Sequence, residues 1–237
     1  MKKKEEEVIH LENVTKYYHM GESIVRAVDG ISLSIKKGEF IAVMGPSGSG
    51  KSTCMNLIGS LDVPTKGAVF LDGENVSYFS ESDLAELRGN KVGFIFQQFN
   101  LIPNLTVKEN VMLPMDFQGT SKMKRIEVAE EILEKVDLAD RMDFYPNQLS
   151  GGQQQRVAIA RSLANDPDVI LADEPTGNLD SKTGDKVLDF LEALNKEGKT
   201  VIMITHDPDL AKAHADIVYW LKDGKIERVT RKKGKFN

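Results

Sequence analysis

The chain has 237 residues, of which 41% are hydrophobic and 28% charged, an ordinary composition for a globular protein with a sizeable core. Its net charge of −5 argues against a general nucleic-acid binder, because such proteins carry an excess of basic residues. The single cysteine excludes an intramolecular disulfide, and the sequence shows neither a signal-peptide stretch nor an apolar run long enough for a membrane helix. These features predict a cytoplasmic location.

Short apolar segments alternate with helical patterns, which predicts a largely parallel sheet wrapped by helices. Core strands are predicted at Phe40–Met44, Val92–Phe96, Val169–Asp173 and Thr200–Thr205. Shorter strands at Val8–Val14, Ile24–Val28, Ile31–Ile35 and Ala68–Leu71 are expected to form a separate antiparallel sheet. The block from Gln97 to Asn165 has helical periodicity and predicts an inserted helical subdomain. A final strand pair, Ile217–Leu221 and Lys225–Val229, is predicted around an Asp-Gly turn.

The segment Gly45–Ser52 has the sequence Gly-Pro-Ser-Gly-Ser-Gly-Lys-Ser and joins a predicted strand to a predicted helix. That context and spacing are typical of a phosphate-binding loop, although an ordinary Gly-rich turn is the alternative. The glycines let the backbone N–H groups face a phosphate, and the helix adds partial positive charge. We expect Lys51 to neutralise the β- and γ-phosphates of a nucleotide and the Ser52 hydroxyl to bind Mg²⁺.

The segment Val169–Glu174 is an apolar strand that ends in two carboxylates. Strands of this kind place charge at the sheet edge where ligands of α/β folds bind. Taken alone, the acidic pair also suits a solvated loop entry. With a phosphate loop upstream, we expect Asp173 to hold Mg²⁺, directly or through water, and Glu174 to orient and deprotonate an attacking water.

The segment Leu149–Gln153 reads Leu-Ser-Gly-Gly-Gln and precedes a helical pattern over Gln153–Asn165. A serine hydroxyl and glycine N–H groups at a helix N-terminus form an anion site, and a simple N-cap serine is the alternative. The phosphate loop, this segment and Val169–Glu174, in that order, resemble the ATP-binding-cassette (ABC) ATPases. The resemblance extends over roughly Val8–Val229. Three stretches, Gly59–Gly67, Val92–Pro103 and Leu171–Asp180, are most similar to the lipoprotein-release and macrolide-export branch, with the cell-division branch close behind.

This resemblance implies a fold and a domain plan. The fold is α/β: a P-loop NTPase (RecA-like) core with a mainly parallel sheet, an N-terminal antiparallel β subdomain and an inserted α-helical subdomain. Residues 1–237 are expected to form a single ABC ATPase domain. Its helical subdomain is expected at about 98–165 and would carry the signature motif Leu149–Gln153.

The resemblance also assigns site residues. Gln97 would contact metal and water, Asp180 would cross a dimer interface, and His206 would donate to the γ-phosphate. Either Tyr17 or Tyr18 would stack on adenine, and local register favours Tyr18. The expected catalytic residues are Lys51, Gln97, Glu174 and His206. The expected nucleotide contacts are Tyr18, Gly45, Pro46, Ser47, Gly48, Ser49, Gly50, Lys51, Ser52, Thr53, Ser150, Gly151, Gly152, Gln153 and Asp180. The expected metal ligands are Ser52, Gln97 and Asp173.

The function that the resemblance implies is that of an ATP-binding and ATP-hydrolysing subunit with ATP and Mg²⁺ as cofactors. Two copies would sandwich two nucleotides and power a separate membrane permease, whose coupling helix would enter a groove at the loop Gln98–Leu105. The protein would then lie on the inner face of the cell membrane, bound through its permease, with no nucleic-acid partner. A cell-division mechanotransmitter and a soluble ABC ATPase, for example of Fe–S assembly, stay open as alternatives.

Overall fold

The computed structural model describes residues 6–21 and 23–232, apart from the side chain of Met20. The chain divides into two compact units, one of Met1–Leu84 with Leu194–Asn237 and the other of Ala85–Ala193. Helices α2 (Glu81–Lys91) and α6 (Ser181–Lys196) contain the points where the chain passes from one unit to the other. It stays a prediction that residues 1–237 form one ABC ATPase domain with a helical subdomain at about 98–165.

Four strands of the first unit form an antiparallel sheet in the order β2-β1-β4-β5. They are β1 (Glu7–Met20), β2 (Ser23–Lys36), β4 (Lys66–Leu71) and β5 (Glu74–Asn75). Alternate residues such as Ile9 and Leu11 point to one face and are buried there, as expected for a sheet covered on one side. The separate antiparallel sheet predicted from the sequence is confirmed.

The bounds predicted for the first strands of this sheet are wrong. β1 continues past Val14, and the two segments predicted on either side of Gly30 belong to one strand, β2. Gly30 has a φ of 82°, and the pairing between β1 and β2 shifts register opposite it, between Val14 and Thr15. A glycine in this conformation forms a β-bulge, which bends a strand without ending it.

The other strands of the first unit are β3 (Phe40–Met44), β8 (Thr200–Ile204), β9 (Ile217–Lys222) and β10 (Lys225–Arg231). They lie in the order β10-β9-β3-β8, in which β3 is parallel to both β8 and β9. Every residue of β3 and β8 is buried, which explains their continuous apolar sequences. The antiparallel pair β9–β10 turns at Asp223 and Gly224, as the Asp-Gly dipeptide predicts.

Helix α1 (Lys51–Ile58) follows β3 and packs its apolar face into the first unit. Cys54 is fully buried, and burial raises the pKa of its thiol to about 12. The thiol is therefore protonated near neutral pH, and Cys54 serves as a packing residue. Leu61 is 42% exposed because the helix has already ended at Ile58. The unit also contains a 3₁₀ helix (Val76–Tyr78) and α7 (Pro208–His214).

The second unit contains a parallel strand pair, β6 (Val92–Ile95) and β7 (Val169–Asp173), and three helices that begin and end within it. The helices are α3 (Val107–Phe117), α4 (Lys122–Lys135) and α5 (Gly151–Ser162), with 3₁₀ turns at Ala139–Arg141 and Pro146–Gln148. Side chains from all three, including Val111, Leu133 and Val157, form one buried cluster. Their apolar spacing is the helical pattern predicted for this part of the sequence.

Within the described ranges, none of the helices has both the length and the apolar character needed to cross a membrane.

Candidate nucleotide-binding and catalytic site

The segment Gly45–Gly50 forms the loop between β3 and α1 in the first unit. The Lys51 Nζ donates hydrogen bonds to the carbonyl oxygens of Gly45 (2.8 Å) and Pro46 (2.9 Å), so the ammonium group lies against the start of this loop. Gly50 is the N-cap of α1, with a φ of 97°, and no side chain caps the helix. The first N–H groups of α1 are thus open to an anion and a cation lies beside them, which fits a phosphate.

Two glycines of this loop lie against neighbouring backbone. A Cβ at Gly45 would collide with the carbonyl oxygen of Leu221, and a Cβ at Gly50 would collide with the carbonyl oxygen of Ala27. The motif therefore needs glycine at these two positions because the backbones approach closely. Any side chain there would push the loop out of the shape that receives a phosphate.

His206 leaves the sheet at the same level as the phosphate loop. In the parallel pair β3–β8, Val43 lies opposite Ile204, and Gly45 and His206 each follow two residues later. The carboxyl ends of neighbouring parallel strands meet at one sheet edge, where ligands of α/β folds bind. His206 is exposed at this edge.

The two candidate base-stacking residues differ in their contacts. The Tyr17 hydroxyl donates to Asp29 Oδ1 at 2.6 Å, which raises the pKa of Tyr17. Tyr18 is 38% exposed, and its hydroxyl donates to Asp62 Oδ2 at 3.0 Å. Partial burial and then Asp62 raise the pKa of Tyr18, and the Thr53 hydroxyl acts on it in the opposite direction. Tyr18 is therefore the tyrosine whose hydroxyl interacts with α1 next to the phosphate loop.

In the second unit, Gln97 and Glu174 occupy matching positions. In the parallel pair β6–β7, Ile95 lies opposite Ala172, and Gln97 and Glu174 each follow two residues later. A Cβ at Gly177 would lie 3.1 Å from the Gln97 Nε2 and 3.6 Å from the Glu174 Cβ. Both side chains therefore approach the same point on the loop after β7.

Glu174 has a left-handed backbone conformation, with a φ of 45°. This conformation is uncommon for residues other than glycine, and it concentrates at functional sites because the surrounding structure must impose it. Asp173 is the last residue of β7 and is partly exposed, unlike the buried residues before it. Asp173 thus has the extended backbone of β7, and Glu174, the next residue, has a left-handed backbone.

The segment Asn178–Asp180 joins the loop after β7 to α6. The Asn178 Nδ2 donates to the carbonyl oxygen of Gln97 at 2.7 Å. The Asp180 carboxylate accepts from both the N–H (3.0 Å) and the hydroxyl (2.7 Å) of Thr183, and these bonds lower the pKa of Asp180. A Cβ at Gly152 would collide with the Thr183 Cγ2, so the signature segment packs on the first turn of α6.

Helix α5 begins at the signature segment with a capping box. The Ser150 Oγ accepts from the Gln153 N–H (3.3 Å), and the Gln153 Oε1 accepts from the Ser150 N–H (2.8 Å). The N-cap alternative is thus confirmed, while Ser150 and Gly151 stay exposed at the helix end. One turn later the buried Gln155 donates to the carbonyl oxygen of Pro175 at 2.7 Å, which ties α5 to the loop after β7.

The loop Gln98–Leu105 is held by two side chains of the second unit. Asn110 is fully buried; its Oδ1 accepts from the Ile102 N–H (2.8 Å), and its Nδ2 donates to the carbonyl oxygens of Ile102, Leu105 and Thr106. The Arg161 guanidinium donates to the carbonyl oxygens of Phe99 and Asn100. With its backbone fixed in this way, the loop leaves the Ile102 side chain 39% exposed.

The described residues contain no group of three His, Cys, Asp or Glu side chains that could hold a metal ion. Mg²⁺ does not require such a cage, since it is usually bound by one or two protein oxygens together with substrate phosphates and water. In the second unit, the partly exposed carboxylate of Asp173 and the exposed Gln97 supply oxygens of that kind, and in the first unit the exposed Ser52 does so. Oxygen donors of these kinds suit Mg²⁺, and that they hold one ion together with a nucleotide stays a prediction.

Each unit brings part of the predicted site together. In the first unit the phosphate loop, His206 and Tyr18 are assembled, and in the second unit Gln97, the residues after β7 and the signature segment are assembled. Sequence reasoning missed the residues that hold these groups: Thr183, Gln155, Asn110 and Gly224, whose N–H donates to the Ser49 carbonyl oxygen in the phosphate loop. The Asp-Gly turn was itself predicted, but no local signal links it to the phosphate loop.

Comparison with known proteins places this arrangement in a family. The profile of the ABC transporter family matches residues 28–177. MJ0796 of Methanocaldococcus jannaschii, described as an uncharacterized ABC transporter ATP-binding protein, is 53% identical over 96% of this chain and 98% of its own. The macrolide export ATP-binding/permease protein MacB of Aggregatibacter actinomycetemcomitans is 48% identical over 95% of this chain and 35% of MacB. A solved structure of MJ0796, dimeric, in a post-hydrolysis state and bound to ADP and Pi, superposes with a TM-score of 0.88 at 50% identity, covering 95% of this chain and 99% of that one.

These matches confirm the predicted P-loop NTPase fold and the predicted branch. The chain belongs to the ABC transporter family, as an ATP-binding subunit from the branch that includes the macrolide-export proteins.

Proposed function

We propose that this chain hydrolyses ATP as a homodimer and thereby drives conformational change in an integral-membrane permease. The observation that carries the proposal is the phosphate loop, whose Lys51 ammonium and uncapped α1 N-terminus form a site for nucleotide phosphates. The relative MJ0796 has been solved as a dimer with ADP and Pi bound, the products of ATP hydrolysis.

Each site residue then has a role. Lys51 and backbone N–H groups of the phosphate loop and of the first turn of α1 hold the phosphates, and Tyr18 stacks on the base. Gln97 contacts the metal and the attacking water, and His206 donates to the γ-phosphate. Glu174 accepts a proton from the attacking water and orients it. Ser52, Gln97 and Asp173 would hold Mg²⁺, which supplies charge neutralisation for the phosphates when bound.

The signature segment supports the proposed dimer. Ser150 and the N–H groups of Gly151 and Gly152 lie at the positively polarised end of α5. We propose that this end meets the γ-phosphate held by a second copy, with Asp180 crossing the same interface. Closure on ATP and release after hydrolysis would then couple chemistry to movement.

The permease partner is supported by the relatives. MacB is named as an ATP-binding and permease protein in one chain, and the present chain matches 35% of its length. MJ0796, by contrast, is an ATP-binding protein matched over 98% of its length. We propose that this chain resembles MJ0796 in organisation and acts from the inner membrane face through a separate permease, which contacts the loop Gln98–Leu105.

The test is the substitution Glu174→Gln, which keeps the shape of the side chain and removes the base. With ATP and Mg²⁺, the variant should accumulate as a stable dimer and hydrolyse ATP at least about a hundredfold more slowly, since general-base catalysis contributes ~10²–10⁴-fold. Light scattering after size exclusion reports the dimer. Glu127→Gln, on the exposed surface of α4, is the control and should behave as wild type. A Glu174→Gln protein that stays monomeric with ATP would contradict the scheme.

A further inference from the structure

The turn between β9 and β10 contacts the backbone of the phosphate loop. Its residues Asp223 and Gly224 both have left-handed φ values, 49° and 73°. The Gly224 N–H donates to the Ser49 carbonyl oxygen at 3.1 Å, and the Gly224 carbonyl oxygen accepts from the Asp29 N–H at 2.8 Å. The turn is therefore hydrogen-bonded to the phosphate loop on one side and to β2 on the other.

Side-chain interactions fix Asp29 in this arrangement. Its Oδ1 accepts from the Tyr17 hydroxyl at 2.6 Å, and its Oδ2 lies 3.3 Å from the Lys225 Nζ. The hydrogen bonds from Tyr17 and then from Lys225 hold the pKa of Asp29 below its usual value. Asp29 thus joins three strands, β1, β2 and β10, at the point where β2 meets the turn.

The space around the turn is tight for an added side chain. A Cβ at Gly50 would lie 3.5 Å from the Gly224 Cα, in addition to colliding with Ala27. A Cβ at Gly224 would lie 3.0 Å from the carbonyl oxygen of Arg26 and 3.1 Å from that of Ala27. A side chain at position 224 would therefore strain the left-handed backbone and shift the turn, with the Ser49 peptide bonded to it, by a few tenths of an ångström.

We propose that Asp29 and Gly224 are positioning residues for phosphate binding. Through the hydrogen bonds from Asp29 to Gly224 and from Gly224 to Ser49, they hold the Ser49 peptide in place. The N–H groups of the loop are therefore oriented toward the phosphate site before a phosphate binds. A loop ordered in advance loses less conformational entropy on binding and therefore binds more tightly. The inference rests on the proposed function, because that function assigns the nucleotide phosphates to this loop.

The chain contains a matched control for this turn. Asp72 and Gly73 join β4 to β5 with φ values of 53° and 81°, and a Cβ at Gly73 would meet nothing within 4 Å. Gly73→Ala therefore carries the cost of alanine in a left-handed conformation without touching the phosphate loop. Gly224→Ala carries the same cost and also displaces Ser49.

The experiment compares the two variants by titration calorimetry with ADP and with inorganic tripolyphosphate, which has no base. Gly224→Ala should bind both ligands about tenfold more weakly than Gly73→Ala, a difference of ~1.4 kcal/mol. It should also raise KM for ATP while kcat at saturating ATP stays within about twofold, as expected when only binding is affected. Equal binding by the two variants would overturn the inference. A wild-type protein that binds neither ligand would instead overturn the proposed function, and the inference with it.

A second pair of variants covers the case in which Gly224→Ala does not fold. Asp29→Ala removes both side-chain anchors but leaves the turn sequence and the backbone bond from Asp29 to Gly224 intact. Because that backbone bond remains, binding of both ligands should weaken only about threefold, which is within the range for one ordinary hydrogen bond. Asp29→Asn keeps an acceptor for Tyr17 and should restore most of the affinity. Wild-type affinity in Asp29→Ala would overturn the role of this residue.

Discussion

Tyr17 and Tyr18 are adjacent in β1, and their different contacts bear on how a nucleotide base is held. The Tyr17 hydroxyl is engaged by Asp29, within the network behind the phosphate loop. The Tyr18 ring is partly exposed, with the Lys16 Nζ 5.4 Å from its centroid and Asp62 bonded to its hydroxyl. These contacts fix the Tyr18 ring and leave part of its surface for stacking.

The substitution Tyr18→Ala tests this assignment. It should weaken ATP binding about tenfold, because stacking of a base on an aromatic ring contributes ~1–3 kcal/mol. Binding of tripolyphosphate should not change, since that ligand has no base, and calorimetry with both ligands separates the two effects. Tyr78→Ala, which removes a tyrosine that is 87% exposed in the same unit, is the control. Equal losses for ATP and tripolyphosphate would argue that Tyr18 acts on the loop and not on the base.

At the scale of elements, two helices of the second unit begin with the same device. α3 starts with a capping box between Thr106 and Glu109, and α5 starts with one between Ser150 and Gln153. Each satisfies N–H groups that would otherwise lack partners at the helix start. The boxes are alike as caps, but only the α5 box is part of the signature segment.

Replacement of each capping hydroxyl separates a structural role from a catalytic one. Ser150→Ala and Thr106→Ala should each lower the free energy of unfolding by about 1 kcal/mol, measured by urea denaturation. Only Ser150→Ala should also reduce ATP hydrolysis, by about tenfold or more, with ATP binding nearly unchanged, because the hydroxyl is proposed to meet a phosphate on the partner copy. Loss of activity in both variants to the same degree would show that capping alone explains the effect.

At the scale of the whole molecule, burial of acidic side chains lowers the free energy of unfolding, because a charged carboxylate loses its hydration when it is buried. Glu39 and Asp216 are 6% and 4% exposed, and they accept hydrogen bonds from the N–H groups of Lys36 (2.9 Å) and Phe40 (3.4 Å). Burial raises the pKa of Glu39 and outweighs its hydrogen bond to Lys36. The folded protein therefore holds a proton on Glu39 more tightly than the unfolded chain does.

This difference predicts how stability depends on pH. The stabilisation from the Glu39 proton is complete below the unfolded-state pKa of about 4.3 and is lost as pH rises through the raised folded-state value. Glu39→Gln, which does not titrate, should gain stability relative to wild type as pH rises above about 4, and the difference should level off once pH exceeds the raised folded-state pKa of Glu39. Urea unfolding across this range measures the change, with Glu12→Gln at an exposed position of β1 as control. A difference between Glu39→Gln and wild type that is constant with pH would contradict the prediction.

The sequence by itself determined the elements whose signals are local. The core strand Phe40–Met44 has the predicted bounds, because its composition suits a strand buried on both faces. The phosphate loop and the signature segment were recognisable because their chemistry depends on backbone N–H groups, glycines and one or two side chains at fixed spacing. The predictions of an α/β P-loop fold and of the ABC family rested on these segments, and both are confirmed.

Only the tertiary structure decided which distant residues hold these segments in place. Gly30 looked like the end of a strand, yet it forms a bulge because β1 continues opposite it. Gly224 bonds to Ser49, and Thr183 packs on Gly152, although nothing near either residue in the sequence indicates the contact. Local sequence fixes backbone preferences over a few residues, whereas such contacts depend on strand order and on how closely two backbones approach.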